Sequence, residues 1–173
     1  MLKESDQLIR LLQKAYSGEL AAALAYRGHW KSVVDEADRS RIRQIEEEEW
    51  NHREKVGEML STLGSQPDPI RETRSYLVGR LLGFLCAVAG SFAPLYAAGR
   101  LESRNIVEYE SAAQFASESG HPEFLECLLE MAEVEWEHEH YFRAKVIQHK
   151  MPGFLRLWRV PPPKESIRKA YRA

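Results

Sequence analysis

Four long stretches of this chain place apolar residues at alternating steps of three and four, and each stripe is broken near its middle by ionisable side chains. The first runs Leu12, Tyr16, Glu19, Ala23, Tyr26, Trp30 and Val33. The second runs Ile42, Ile45, Glu49, His52, Val56, Met59 and Leu63. The third runs Leu95, Ala98, Glu102, Ile106, Tyr109, Ala113 and Ala116. The fourth runs Phe124, Leu128, Met131, Glu135, His138, Phe142 and Val146. Such steps keep side chains on one face of a helix, and no stretch alternates with the period of a strand. The expected fold is therefore all-α, a four-helix bundle whose shared seam carries acids and histidines.

Local signals set the expected boundaries. The first helix should run from about Glu4 to Val34 with Ser5 as its cap, and the second from about Asp38 to Leu63, ending at Gly64. Between Arg74 and Ser119, five Gly and Pro residues predict a short helix, a break near Pro94 and then a long helix ended by Gly120. The short helix would be the long crossover that some bundles need between their second and third helices. The last helix should begin at Pro122 and run to about Lys150. Residues 1–150 are expected to form the bundle and residues 151–173 a basic amphipathic tail.

A chain of 173 residues can bury a core as one domain, and 44% hydrophobic against 29% charged residues marks it as globular. The two cysteines, Cys86 and Cys127, sit in apolar helical stretches, which fits a reduced compartment without a disulfide framework. The opening residues lead straight into an amphipathic run, so no signal peptide is expected, and the location read from the sequence is cytoplasmic. Charge is uneven. Residues 150–173 hold seven basic groups against Glu165, a net of +6, which leaves −8 on residues 1–149 of the overall −2. Such a tail suits an anionic surface, whether lipid, nucleic acid or the acidic bundle itself. Residues 81–99 carry no charge over 19 positions, the length of a membrane span, but Gly, Ala, Ser and Pro94 argue for an apolar crossover touching lipid instead. Phe154, Leu155, Leu157, Trp158 and Val160 surround Arg156 and Arg159, which suits either a membrane interface or a strap packed on the bundle.

The chemistry lies in the interrupted stripes. Glu49-Trp50-Asn51-His52 is repeated as Glu135-Trp136-Glu137-His138, and a Glu and a His three residues apart can ligate one ion. Glu19 precedes Glu49 by 30 residues, Glu102 precedes Glu135 by 33, and each is followed seven residues on by a tyrosine, Tyr26 or Tyr109. The chain thus reads as a duplicated helix pair, each half giving one Glu and one Glu-x-x-His. A buried carboxylate costs several kcal/mol unless it is paired or bound to a cation. Glu19, Glu49, His52, Glu102, Glu135 and His138 are therefore expected to hold two metal ions, with the four carboxylates also taking part in catalysis. Carboxylates bridge and neutralise two cations while imidazoles leave open positions. Iron suits redox work on dioxygen, and manganese fits the same ligands.

Neighbouring candidates fall outside the stripes. Glu137 and His140 share the spacing but lie on a solvated face, with His140 at most an outer-shell group. Glu46, Glu47 and Glu48 read as surface acids, Glu108 and Glu110 fall off the Glu102 line, and His29, His121 and His149 read as surface or loop histidines. Tyr26 and Tyr109 read as core tyrosines.

The six ligands reproduce the pattern of the ferritin-like di-iron carboxylate superfamily over roughly residues 5–150. Within it the chain most resembles the demethoxyubiquinone hydroxylases, through its compact length, the Gly/Ala-rich lead into the third helix, the Glu-to-Tyr steps and the amphipathic tail. That resemblance implies a ferritin-like four-helix bundle with a long crossover and an extra C-terminal segment. It also implies a peripheral membrane monooxygenase of ubiquinone biosynthesis that hydroxylates a lipophilic, quinone-like substrate with dioxygen at two iron ions. Of the family's helix-one opening only Gly18-Glu19 survives, and Val107-Glu108 stands where a His pair is expected before the tyrosine. A homodimer is a further expectation, and nucleic acid is not an expected partner. The alternatives are a ferroxidase or iron-storage module of the ferritin kind and a rubrerythrin-like peroxidase, although two cysteines cannot build a rubredoxin site.

Overall fold

A computed structural model describes residues 4–149 and 155–171. Among them are five α-helices and no strand: α1 (Glu4–Ser32), α2 (Glu36–Thr62), α3 (Pro69–Cys86), α4 (Phe92–Glu118) and α5 (Leu125–Ile147). The all-α class and the element order of a ferritin-like bundle with a helical crossover are as expected. The chain forms two compact units that divide after Ser91.

In the first unit α1 packs on both α2 and α3. The Asp35 side chain caps α2 by accepting from the Asp38 N–H, which starts the helix a little earlier than the stripe alone suggests. Its end is a Schellman turn: Ser65 N–H bonds the Leu60 carbonyl and Gly64 N–H the Ser61 carbonyl, with Gly64 at φ 64°. Asp68 caps α3, with Pro69 in its first turn, so the crossover helix begins before Arg74. Helix α3 buries only Gly79 and Gly83. These let it lie against α1 so closely that a Cβ on Gly79 or Gly83 would come within 2.7 Å of the Ala21 or Leu24 carbonyl oxygen. Arg53 ties three helices together, donating to the Tyr16 carbonyl at 2.5 Å and pairing with Glu72 of α3.

Three local expectations need correction. Ser5 lies inside α1 rather than capping it, and α1 stops at Ser32. The break in the third region falls at residues 87–91, where Gly90 has φ 71°, and not at Pro94. Pro94 is the third residue of α4, where a missing N–H costs no helical bond because first-turn donors have no intrahelical acceptor. The last helix is preceded by a 3-10 turn at Pro122–Phe124, and the expected end at Lys150, like Phe154, lies outside the described residues.

In the second unit α4 packs on α5, and residues 155–171 form a strap across them. Trp158 sits against Gly99, where a Cβ would overlap its ring. The Trp158 indole N–H donates to Glu139 at 2.6 Å, and Arg143 donates to Glu139 at 2.7 Å and to the carbonyl of Arg159 at 3.0 Å. Further along, Lys164 pairs with Glu137, Arg168 with Glu126 and Glu133, and the Tyr171 hydroxyl donates to the Glu110 carbonyl. Of the two expectations for the tail, the packed strap is what the described residues adopt.

Candidate metal centre

Each unit buries one of the two predicted ligand sets. In the first, Glu19 on α1 and Glu49 and His52 on α2 are at most 3% exposed, and their ligand atoms lie within 4.8 Å of one another. In the second, Glu102 on α4 and Glu135 and His138 on α5 are fully buried and meet the same distance limit. The helical register explains the convergence. All seven residues of the third and fourth stripes are buried, as are those of the second except Leu63, so the polar members are carried inward by apolar neighbours one turn away.

The donor sets fit a cation. Metal–ligand bonds of about 2.0–2.5 Å put two ligand atoms on one ion roughly 3–5 Å apart. His138 Nδ1 lies 3.5 Å from Glu135 Oε2, long for a hydrogen bond and well suited to two atoms sharing an ion. Two carboxylates and a neutral imidazole also balance one divalent charge per trio. Each trio can therefore hold a metal ion, and hard oxygen plus imidazole donors suit iron or manganese. Asn105, one turn beyond Glu102, donates its side-chain amide to Glu102 Oε2 at 2.8 Å.

The other candidates divide. Glu137 and His140 are exposed, and His140 stacks on Trp136 at 4.8 Å between centroids, so this pair takes no place in the trio. Tyr26 and Tyr109 are buried core residues. Two readings fail. Glu46 is no surface acid: it is buried and accepts from Arg27 at 2.7 Å, Trp30 at 2.6 Å and Trp50 at 3.2 Å. His29 is no surface histidine: it is 3% exposed, and burial lowers its pKa to about 4 against a smaller opposing pull from Asp38. Glu139, Arg143 and Asn105 had not been singled out. Glu46 lies four residues after Ile42, and Glu139 four after Glu135. Both therefore belong to a second buried line beside each stripe, visible only if the apolar face is taken as broad rather than one residue wide.

No curated protein matches the chain, and neither does any solved structure. The family of the ubiquinone biosynthesis protein COQ7 matches residues 4–109, a segment that carries Glu19, Glu49, His52 and Glu102 and ends at Tyr109. Glu135 and His138 lie past the matched segment, on α5. The match covers more than half of the 173 residues, and the chain belongs to the COQ7 family, a ferritin-like di-iron family.

Proposed function

We propose that the chain is a hydroxylase of ubiquinone biosynthesis, in which each trio holds one iron ion and the substrate is a lipophilic quinone-like ring. The observation that carries this reading is the duplicated Glu and Glu-x-x-His set, buried in both units of a chain of the COQ7 family. A pair of iron ions, when bound, would supply the reduction of dioxygen that hydroxylation requires. The chain's own residues do the rest. Glu19, Glu49, Glu102 and Glu135 offset the positive charge of two divalent cations, and His52 and His138 complete the donor sets while remaining neutral. Ile45, Val56, Met131 and Phe142 flank the ligands on the buried stripes and exclude water from around them.

Helix α3 supports a peripheral place on the membrane. Tyr76, Leu77, Leu81, Phe84 and Leu85 on it are 41–66% exposed, as is Val88 just past its end, far more apolar surface than a soluble helix normally presents. Among the described residues no helix is long and apolar enough to cross a membrane. The proposed contact is therefore interfacial, at the depth where a lipophilic substrate is reached.

The direct test loads the protein with ferrous iron and mixes it with dioxygen and a short-chain quinol. A ring product heavier by one oxygen atom is expected, with about two ions bound per chain. Ferrous iron that is oxidised repeatedly while the ring stays unchanged would instead point to iron handling.

A further inference from the structure

Resting on the reading of the substrate as a quinone-like ring, we propose that the slot holding Trp158 is a binding site for a planar aromatic ring with a hydroxyl at its edge, a quinol or other phenol, and that such a ring displaces the strap. The sequence repeat points to the slot. Glu19 corresponds to Glu102 and Glu49 to Glu135, so Tyr16 corresponds to Gly99 and Gly57 to Arg143. In the first unit the space one turn before Glu19 is filled from within. The Tyr16 ring lies against Gly57, where a Cβ would come within 3.0 Å of it, and the Arg53 guanidinium sits 3.6 Å from the ring centroid. The second unit keeps a ring and an arginine in this place but draws the ring from elsewhere. Gly99 has no side chain, the Trp158 indole covers it, and the Arg143 guanidinium lies 4.8 Å from the indole centroid. An aromatic position that one half builds into its first helix is filled, in the other, by the strap.

The walls of the slot define its ligand. Glu139 is 1% exposed and accepts from the indole N–H at 2.6 Å, and Arg143, 8% exposed, donates to the same carboxylate oxygen at 2.7 Å. A ligand therefore needs a π face for Arg143 and a donor at its edge for Glu139. A quinol offers both, whereas the oxidised quinone brings only acceptors to a carboxylate that also only accepts. The slot thus selects the reduced ring. Gly99 lies three residues before Glu102, and Phe142, which borders Gly99, lies four after His138, so the slot is one helical turn from the second trio along both helices. The strap can also leave without unfolding a helix. Residues 155–163 are not helical, and the carbonyls of Arg156, Arg159 and Pro162 accept from the side chains of Tyr96, Arg143 and Trp136. A segment held in this way opens at lower cost than the helices beneath it.

The test titrates a short-chain quinol, without dioxygen, into metal-free protein carrying fluorinated tryptophan, and follows it by fluorine NMR. The Trp158 signal is assigned by its loss in Trp158→Phe. It should move to the position of a solvated indole as quinol is added, while the signals of Trp30 and Trp50 stay where they are. The matching quinone and the dimethyl ether of the quinol, which lack a donor, should leave it in place. By equilibrium dialysis, Trp158→Gly, which removes the competing ring, should bind the quinol about tenfold or more tighter than the wild type. Glu139→Gln, which removes the charged acceptor, should bind it about tenfold more weakly. If the Trp158 signal holds its place at saturating quinol, or the quinone moves it equally, the slot assignment is overturned whatever the hydroxylation assay shows. If the quinol displaces Trp158 but the iron-loaded protein leaves the ring unhydroxylated, the slot stands and the function proposed above falls.

Discussion

At the scale of single residues, a buried ionisable group is informative because water would have been cheaper. The six buried acids and histidines were legible in the sequence because each replaces an apolar residue at the centre of a helical stripe. His29 was not, because nothing in its neighbours marks the last turn of α1 as covered. Its burial has a consequence for pH. Desolvation lowers the folded-state pKa to about 4, from an ordinary value of 6.5. Between these values the unfolded chain binds a proton that the folded chain refuses. Stability is therefore intact above about pH 6.5 and falls as pH drops towards 4. Going from pH 7 to pH 5 should cost on the order of 2 kcal/mol through this residue alone. Urea unfolding of metal-free protein at the two pH values checks this. His29→Leu should lose less stability over that interval than the wild type by about that amount, and equal losses would show that His29 is solvated.

At the scale of elements, helix existence was legible from periodicity, while the start of α3 and the position of the break were not. Asp68 and Pro69 form a capping pair that moves the start of α3 ahead of the apolar run. Pro94 was read as a breaker when it occupies a first turn. The strap was undecided in the sequence because an Arg- and Trp-rich segment suits lipid and protein alike. What holds it can be ranked by magnitude. Arg168 pairs with Glu126 and Glu133, but the Glu126 side chain is 68% exposed, and such surface pairs contribute about 0–1 kcal/mol. Trp158 fills the space over Gly99 and bonds Glu139, which is 1% exposed. Losing a large aromatic costs about 3–5 kcal/mol when fully buried, and about 2–3 kcal/mol is expected for the half-buried Trp158. Trp158→Ala should therefore destabilise the protein by that much and speed protease cleavage within residues 155–171, whereas Arg168→Ala should change stability by under about 1 kcal/mol. Denaturant midpoints and timed digestion separate the two, and a larger effect from Arg168 would mean that charge holds the strap.

For the whole molecule, the uneven use of apolar residues remains to be explained. The stripes of α2, α4 and α5 spend theirs on the core, but α3 turns its glycines inward and its large side chains outward. The hydrophobic effect predicts the reverse unless something other than water covers that face. Arg71, Arg74 and Arg80 are exposed on the same helix, and each basic group near an anionic bilayer adds about 1 kcal/mol of attraction. A lipid surface satisfies both features at once. Protein should co-sediment with vesicles containing anionic lipid, and raised salt should weaken that binding without abolishing it, because the apolar part is not screened. Leu81→Glu with Phe84→Glu removes two exposed apolar contacts, each worth about 1–2 kcal/mol on burial, and adds two charges that are costly to insert. Vesicle binding should fall by more than tenfold in this variant while the metal-binding stoichiometry stays the same. If the variant instead keeps its vesicle binding and the wild type alone forms a dimer in solution, then a second copy of the chain covers α3, and the membrane assignment falls.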